Sequence, residues 1–169
     1  IEYLDNTVKT PEDVEQLIRL PSFGMVPEVS QHRRKRLEQG RAYPIELITH
    51  RHPKSMLSEA YRNIRTSILL SFSERPPRRI AITSPNPAEG KTTTAINTAI
   101  ALSQTGARVI LIDSDLRKPR LHKVFTEDNG VGLSNFLSGN IGLEAIIKKT
   151  DIPNLFYIPS GPIPPNPAE

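Results

Sequence analysis

Between positions 54 and 72 the apolar residues Leu57, Tyr61, Ile64 and Ile68 recur at intervals of three and four, the spacing that lines one face of an α-helix. Pro76-Pro77 bars its continuation. Two shorter apolar runs follow, 79–83 and 109–112, and both read as strands. The helix between them is expected over 91–104, closed by Gly106. The unbroken run Val109-Ile110-Leu111-Ile112 predicts a central parallel strand buried on both faces. Strand, helix and strand within about 35 residues make a βαβ unit with a right-handed crossover. Farther on, 133–137 and 143–149 read as short helices and 155–158 as a third strand. Upstream, Thr10-Pro11-Glu12-Asp13 opens a helix that Pro21 ends: a capping hydroxyl, a proline in the first turn, and acids at the positive end of the dipole. Residues 23–26 read as a brief strand and 28–53 as linker.

Composition narrows this α/β picture. With 169 residues the chain can bury one principal core. Six of its 16 prolines fall within 153–167, as expected of an extended flank beside a compact centre. There is no cysteine, which excludes disulfides and thiolate metal sites and is simplest in a reducing compartment. No apolar run approaches the ~20 residues that cross a bilayer. The net charge of +4 is concentrated from His32-Arg33-Arg34-Lys35-Arg36 onwards. The basic stretch has few aromatics and follows no single helix, so it reads as a solvated linker and not as a nucleic-acid patch. Beside a membrane it would be drawn to anionic lipid. The chain begins with Ile1 and stops within a proline-rich stretch, and it reads as a piece of a longer protein.

The chemistry lies in the loop Pro85-Asn86-Pro87-Ala88-Glu89-Gly90-Lys91-Thr92. A highly charged anion is best held by several backbone N–H groups at a helix N-terminus, with a flexible cation over it. Gly90 lets the backbone approach phosphates, Lys91 reaches the β- and γ-phosphates, and the Thr92 hydroxyl can ligate Mg²⁺. The expected ligand is ATP with Mg²⁺, held by Pro87, Ala88, Glu89, Gly90, Lys91, Thr92 and Thr93. Asp113 and Asp115 stand at the C-terminal end of the next strand, where open α/β sheets place their ligands. They are candidates for holding the metal with Thr92, or for accepting a proton from an attacking hydroxyl.

Together these residues resemble the bacterial tyrosine kinases of exopolysaccharide and capsule systems, which share the fold of the MinD and ParA ATPases. Residues 84–92 look like that family's Walker A loop, with Pro85 where the usual first glycine would stand. Asp113-Ser114-Asp115-Leu116-Arg117 looks like its second, Asp-x-Asp-x-Arg, motif. The stretch from Leu4 to Pro21 is similar to the segment just inside such proteins' second membrane helix, and Gly161-Pro162-Ile163-Pro164-Pro165-Asn166-Pro167 to their proline-rich turn beside the nucleotide. Glu59, Arg62 and Arg65 match the family's ring-forming Glu-x-x-Arg-x-x-Arg motif; without the resemblance they read as a charged outer helix face. Asn86 stands where the MinD and ParA branch has a signature lysine, which points to the kinases.

The resemblance implies a P-loop NTPase-like parallel sheet with flanking helices, incomplete at its C-terminal end. It implies a juxtamembrane segment and linker over 1–53 and the N-terminal part of the kinase domain over 54–169. For the full-length protein it implies phosphorylation of tyrosines, mostly between neighbouring subunits of a ring, at the cytoplasmic face of the inner membrane and in contact with polysaccharide export machinery. Lys91, Asp113, Asp115 and Arg117 would be its catalytic residues. The Walker B carboxylate and the tyrosine cluster that receives phosphate would lie past Glu169; Tyr3, Tyr43, Tyr61 and Tyr157 form no cluster. A switch ATPase and a non-catalytic oligomerising regulator are the alternative readings.

Overall fold

The computed structural model describes residues 10–28, 44–72, 75–125 and 128–167, without the side chains of Pro11 and Ile18. The basic run 32–36, Tyr3, Tyr43 and the motif at 4–7 lie outside them.

Helix α1 (Pro11–Ile18) forms as its cap predicts: Thr10 Oγ1 accepts from the Asp13 amide at 3.2 Å, and Asp13 accepts from the Thr10 amide at 2.9 Å. Residues 23–26 do not form the expected strand; among the described residues no segment offers them a ladder. The expected linker is corrected over its last part. A 3₁₀ turn (Ile45–Leu47) runs into helix α2 (Ile48–Arg51), and Leu47, Ile48 and Thr49 are buried.

Helix α3 (Met56–Leu70) is capped by Ser55 and buries Leu57, Tyr61 and Ile68. Helix α4 (Lys91–Ser103) is the central element. Ile96, Ala99 and Ile100 pack into one apolar cluster with Leu155 and Tyr157, while Ala101 packs into another with Ile48, Leu57 and Tyr61. A helix covered on both sides in this way has apolar residues around its whole girth.

The sheet has three strands: β1 (Val109–Ile112), β2 (Lys148–Lys149) and β3 (Leu155–Ile158), in the order β1-β3-β2. β1 and β3 are parallel, with Val109 opposite Leu155 and Ile112 opposite Ile158; β2 is antiparallel to β3. Helices α5 (Leu121–Val124), α6 (Leu133–Leu137) and α7 (Leu143–Ile146) fill the connection from β1 to β2. The helix expected over 143–149 therefore stops early, because Lys148 and Lys149 pair with Tyr157 and Phe156 instead.

Two further expectations are corrected. β1 is not buried on both faces. Val109 and Leu111 pack on the core that contains α4, but Ile110 and Ile112 remain 48% and 51% exposed. Residues 79–83 also form no strand. They flank β1 across a groove of about 610 Å³ lined by Ile80, Ile82, Ala95, Leu102 and Ile110. With no strand seated in that groove, neither edge gains a ladder, so apolar composition alone does not make a strand there.

Asn97 ties the refolded linker to α4. The fully buried Asn97 side chain accepts at Oδ1 from the Thr49 amide at 3.0 Å, and its Nδ2 donates to Ile45 O at 3.0 Å and Thr93 O at 2.9 Å, both part-buried. Removing the amide strands these groups, at a cost of about 2–4 kcal/mol. We predict that Asn97→Ala lowers the urea-unfolding free energy by that amount, whereas a change below about 0.5 kcal/mol would show that the clamp is dispensable.

Candidate functional site

The loop before α4 is held by its own side chains. Ser84 Oγ donates to Asn86 O at 2.9 Å. The Asn86 amide and Nδ2 donate to the two carboxylate oxygens of Glu89 at 3.1 and 2.8 Å. The Asn86 side chain is the chief reason that the Glu89 carboxyl titrates below its ordinary range. Asn86 thus gives the loop its shape.

Ala88 and Gly90 both adopt left-handed backbone, at φ +66° and +90°. Gly90 is the N-cap of α4 and supplies no capping side chain. The opening amides of the helix therefore have no acceptor within it, and they carry the positive end of its dipole. A Cβ at Gly90 would meet nothing within 4 Å, so glycine is required there by its backbone angle and not by crowding. The result is a ready cradle for an anion.

Lys91 projects from this turn to within 3.6 Å of Asp115 Oδ2. Asp115 Oδ1 accepts from the Lys118 amide at 3.0 Å and the Arg117 amide at 3.3 Å. The Lys118 bond, then the Lys91 charge, hold the Asp115 carboxyl below its ordinary value despite partial burial, and it is ionised at neutral pH. Asp113 is placed differently. It is 7% exposed, its Oδ2 accepts from the amides of Arg120 and Leu121 at 3.0 Å each, and its Oδ1 accepts from Asp115 N at 3.3 Å. Of the two predicted acids, Asp115 meets Lys91 and Asp113 anchors the turn leading into α5.

Thr92 and Thr93 lie half-buried on the first turn of α4, and Arg117 is exposed. Among the described residues no cluster of three or more His, Asp or Glu forms a ready-made metal cage. A Mg²⁺ held mainly by phosphate oxygens needs only a hydroxyl and one or two carboxylates from protein, and Thr92 and Asp115 fit that donor set.

The helix-face residues lie apart from this loop. Arg62 bonds Glu59 and Pro53 O, and Arg65 Nη1 donates to Ala101 O at 3.3 Å, near the C-terminal end of α4. Tyr61 is buried against α4 with its hydroxyl pKa raised by burial, and Tyr157 is fully buried and stacked on Phe125 at 4.7 Å. Two positioning residues escape sequence reasoning. One is Asn97, whose only signal is an amide between Ile96 and Ile100. The other is Asn129, which fixes the proline-rich segment by donating to Gly161 O at 2.7 Å and accepting from Gly161 N at 3.1 Å. Gly132 allows that segment in, since a Cβ there would fall 2.2 Å from Pro159 O.

Comparison with known proteins agrees with this geometry. Residues 77–162 match the AAA domain family, just over half the chain. Tyrosine-protein kinase YwqD of Bacillus subtilis (strain 168) is 46% identical over 117 residues, covering 69% of this chain and 49% of the relative. Tyrosine-protein kinase ptk of Acinetobacter johnsonii is 34% identical over 164 residues, covering 96% of this chain and 22% of the relative. The chain thus spans about half or less of these two relatives. The solved kinase domain of Escherichia coli tyrosine kinase ETK is 30% identical, with a TM-score of 0.80, over 94% of this chain and 62% of that one. The mouth of α4, the acid that meets Lys91 and these likenesses lead to one conclusion: the chain belongs to the AAA domain family, in its bacterial tyrosine-protein kinase branch.

Proposed function

We propose that the longer protein is an ATP-dependent tyrosine autokinase, with this chain supplying its phosphate-binding site. The observation that carries the reading is the 3.6 Å approach of Lys91 to Asp115 at an uncapped helix mouth. Phosphoryl transfer asks mainly for positioning and charge neutralisation. When bound, Mg²⁺ neutralises phosphate charge. The amides from Gly90 onwards orient the triphosphate, Lys91 spreads over its β- and γ-oxygens, and Thr92 presents its hydroxyl to the metal. Asp115, already ionised, accepts a proton from an incoming tyrosine hydroxyl or orients it. Asp113 keeps Asp115 in place through the backbone. The acceptor is a tyrosine outside this chain's described core, since Tyr61 and Tyr157 are both buried.

In this reading the parent protein acts in exopolysaccharide or capsule production at the inner face of a membrane, with the residues before the 45–51 segment as the approach from the bilayer. Among the described residues no helix is long and apolar enough to cross a membrane. Subunits assemble through α3. Glu59 is well exposed, and among the described residues the Arg62 side chain bonds Glu59 and the Pro53 carbonyl, so both can exchange onto a neighbour.

Lys91→Met in the full-length protein should reduce phosphotyrosine formation by at least about a hundredfold, read by mass spectrometry after incubation with ATP. Undiminished phosphotyrosine would contradict the assignment, and release of free phosphate alone by the wild type would make it a switch ATPase. The combined change Glu59→Ala, Arg62→Ala and Arg65→Ala should shift the full-length protein to a smaller species in sedimentation. Unchanged size would remove α3 from the interface.

A further inference from the structure

A second groove is lined by the turn that follows Asp115 in the chain. Its volume is about 550 Å³, and Arg117, Lys118, Arg120, His122, Lys123, Asn129 and Ile163 are among the residues that line it. All four cationic residues are exposed. Arg120 has a carboxylate near it, Glu46 at 3.7 Å. Among the described residues, Arg117, Lys118 and Lys123 are in no ion pair. The two acids of the preceding turn are already engaged: Asp113 by three backbone amides, Asp115 by Lys91 and two amides. Four like charges within seven residues are unfavourable side by side unless an anion joins them.

The cationic wall is also stiff. The amides of Arg117 and Lys118 are fixed on Asp115, that of Arg120 on Asp113, and Pro119 between them is buried. Little ordering is then required of its backbone on binding. Ile163, which also lines the groove, is 58% exposed on the segment that Asn129 clamps, so an apolar surface joins the cationic one. The ligand that such walls fit has a flat apolar body and a doubly charged head. Phosphotyrosine has both: an aromatic ring, about −1.5 to −2 charge near neutral pH, and three strong acceptor oxygens.

We propose that this groove holds a phosphotyrosine-bearing peptide, so that a segment already phosphorylated stays beside the Lys91–Asp115 pair. The origin of the ligand rests on the proposed kinase activity; the binding itself does not. None of the loop residues 84–93 lines the groove, which makes it a docking site for the product side of the transfer and not a second nucleotide site.

The test uses the 169-residue protein and a fluorescent tyrosine-rich peptide, unphosphorylated or carrying two phosphotyrosines, read by anisotropy at fixed salt. The doubly phosphorylated form should bind at least about tenfold more tightly. Lys118→Glu with Lys123→Glu should abolish that preference while leaving the unfolding midpoint unchanged. Lys91→Met should preserve it. Three results would overturn the proposal: equal binding of the two peptides, loss of the preference in Lys91→Met but not in the double variant, or equally tight binding of single-stranded DNA of matched charge. Because Lys91→Met separates the groove from the phosphate loop, failure here is distinct from failure of the kinase assignment.

Discussion

The structure depends on one demand made of a single helix: α4 must be buried along most of its length and bare at its first turn. Its later residues, from Ile96 to Ser103, are enclosed between the sheet on one side and α3 with the 45–51 segment on the other. That enclosure fixes where its N-terminus points. Gly90 then leaves the opening amides without a side-chain acceptor, and the loop 84–90 is bent clear by the Asn86–Glu89 bonds. A helix mouth capped by glycine gives up only a few tenths of a kcal/mol relative to a side-chain cap, and the core around α4 carries that deficit.

Charge is divided between two acids of the same type. Asp113 is nearly buried and satisfied by backbone amides, so it serves shape; Asp115 is more open and faces Lys91, so it serves chemistry. Because the same turn offers its N–H groups to both acids, the cations at 117–123 are thrown outward, and the phosphate site and the basic groove share one scaffold.

The features legible in the sequence were those governed by local rules. The period of Leu57, Tyr61 and Ile64, the Thr10 cap, Gly106 after α4 and the Gly90-Lys91-Thr92 turn all act within a few residues, and each stands where expected. The misses come from partners distant in the chain. The runs 79–83 and Val109–Ile112 both carry alternating or continuous apolar residues, yet only the second finds a strand beside it, and even there one face stays open. Lys148 and Lys149 leave a helical pattern to pair with β3. Residues 45–51 look like linker until Asn97, about fifty positions away, satisfies their backbone. Asp113 and Asp115 could not be told apart by spacing, since both lie at the same strand end and only the course of the turn separates them.

The central claim is that the first amides of α4 receive the phosphates of a nucleotide. Backbone amide NMR shifts during titration of the 169-residue protein with Mg²⁺ and either ATP or AMP test it most directly. The account predicts large shifts at Gly90, Lys91 and Thr92 with ATP and small ones there with AMP. If ATP bound while those amides stayed unmoved, or AMP displaced them equally, the mouth of α4 would not be the phosphate site.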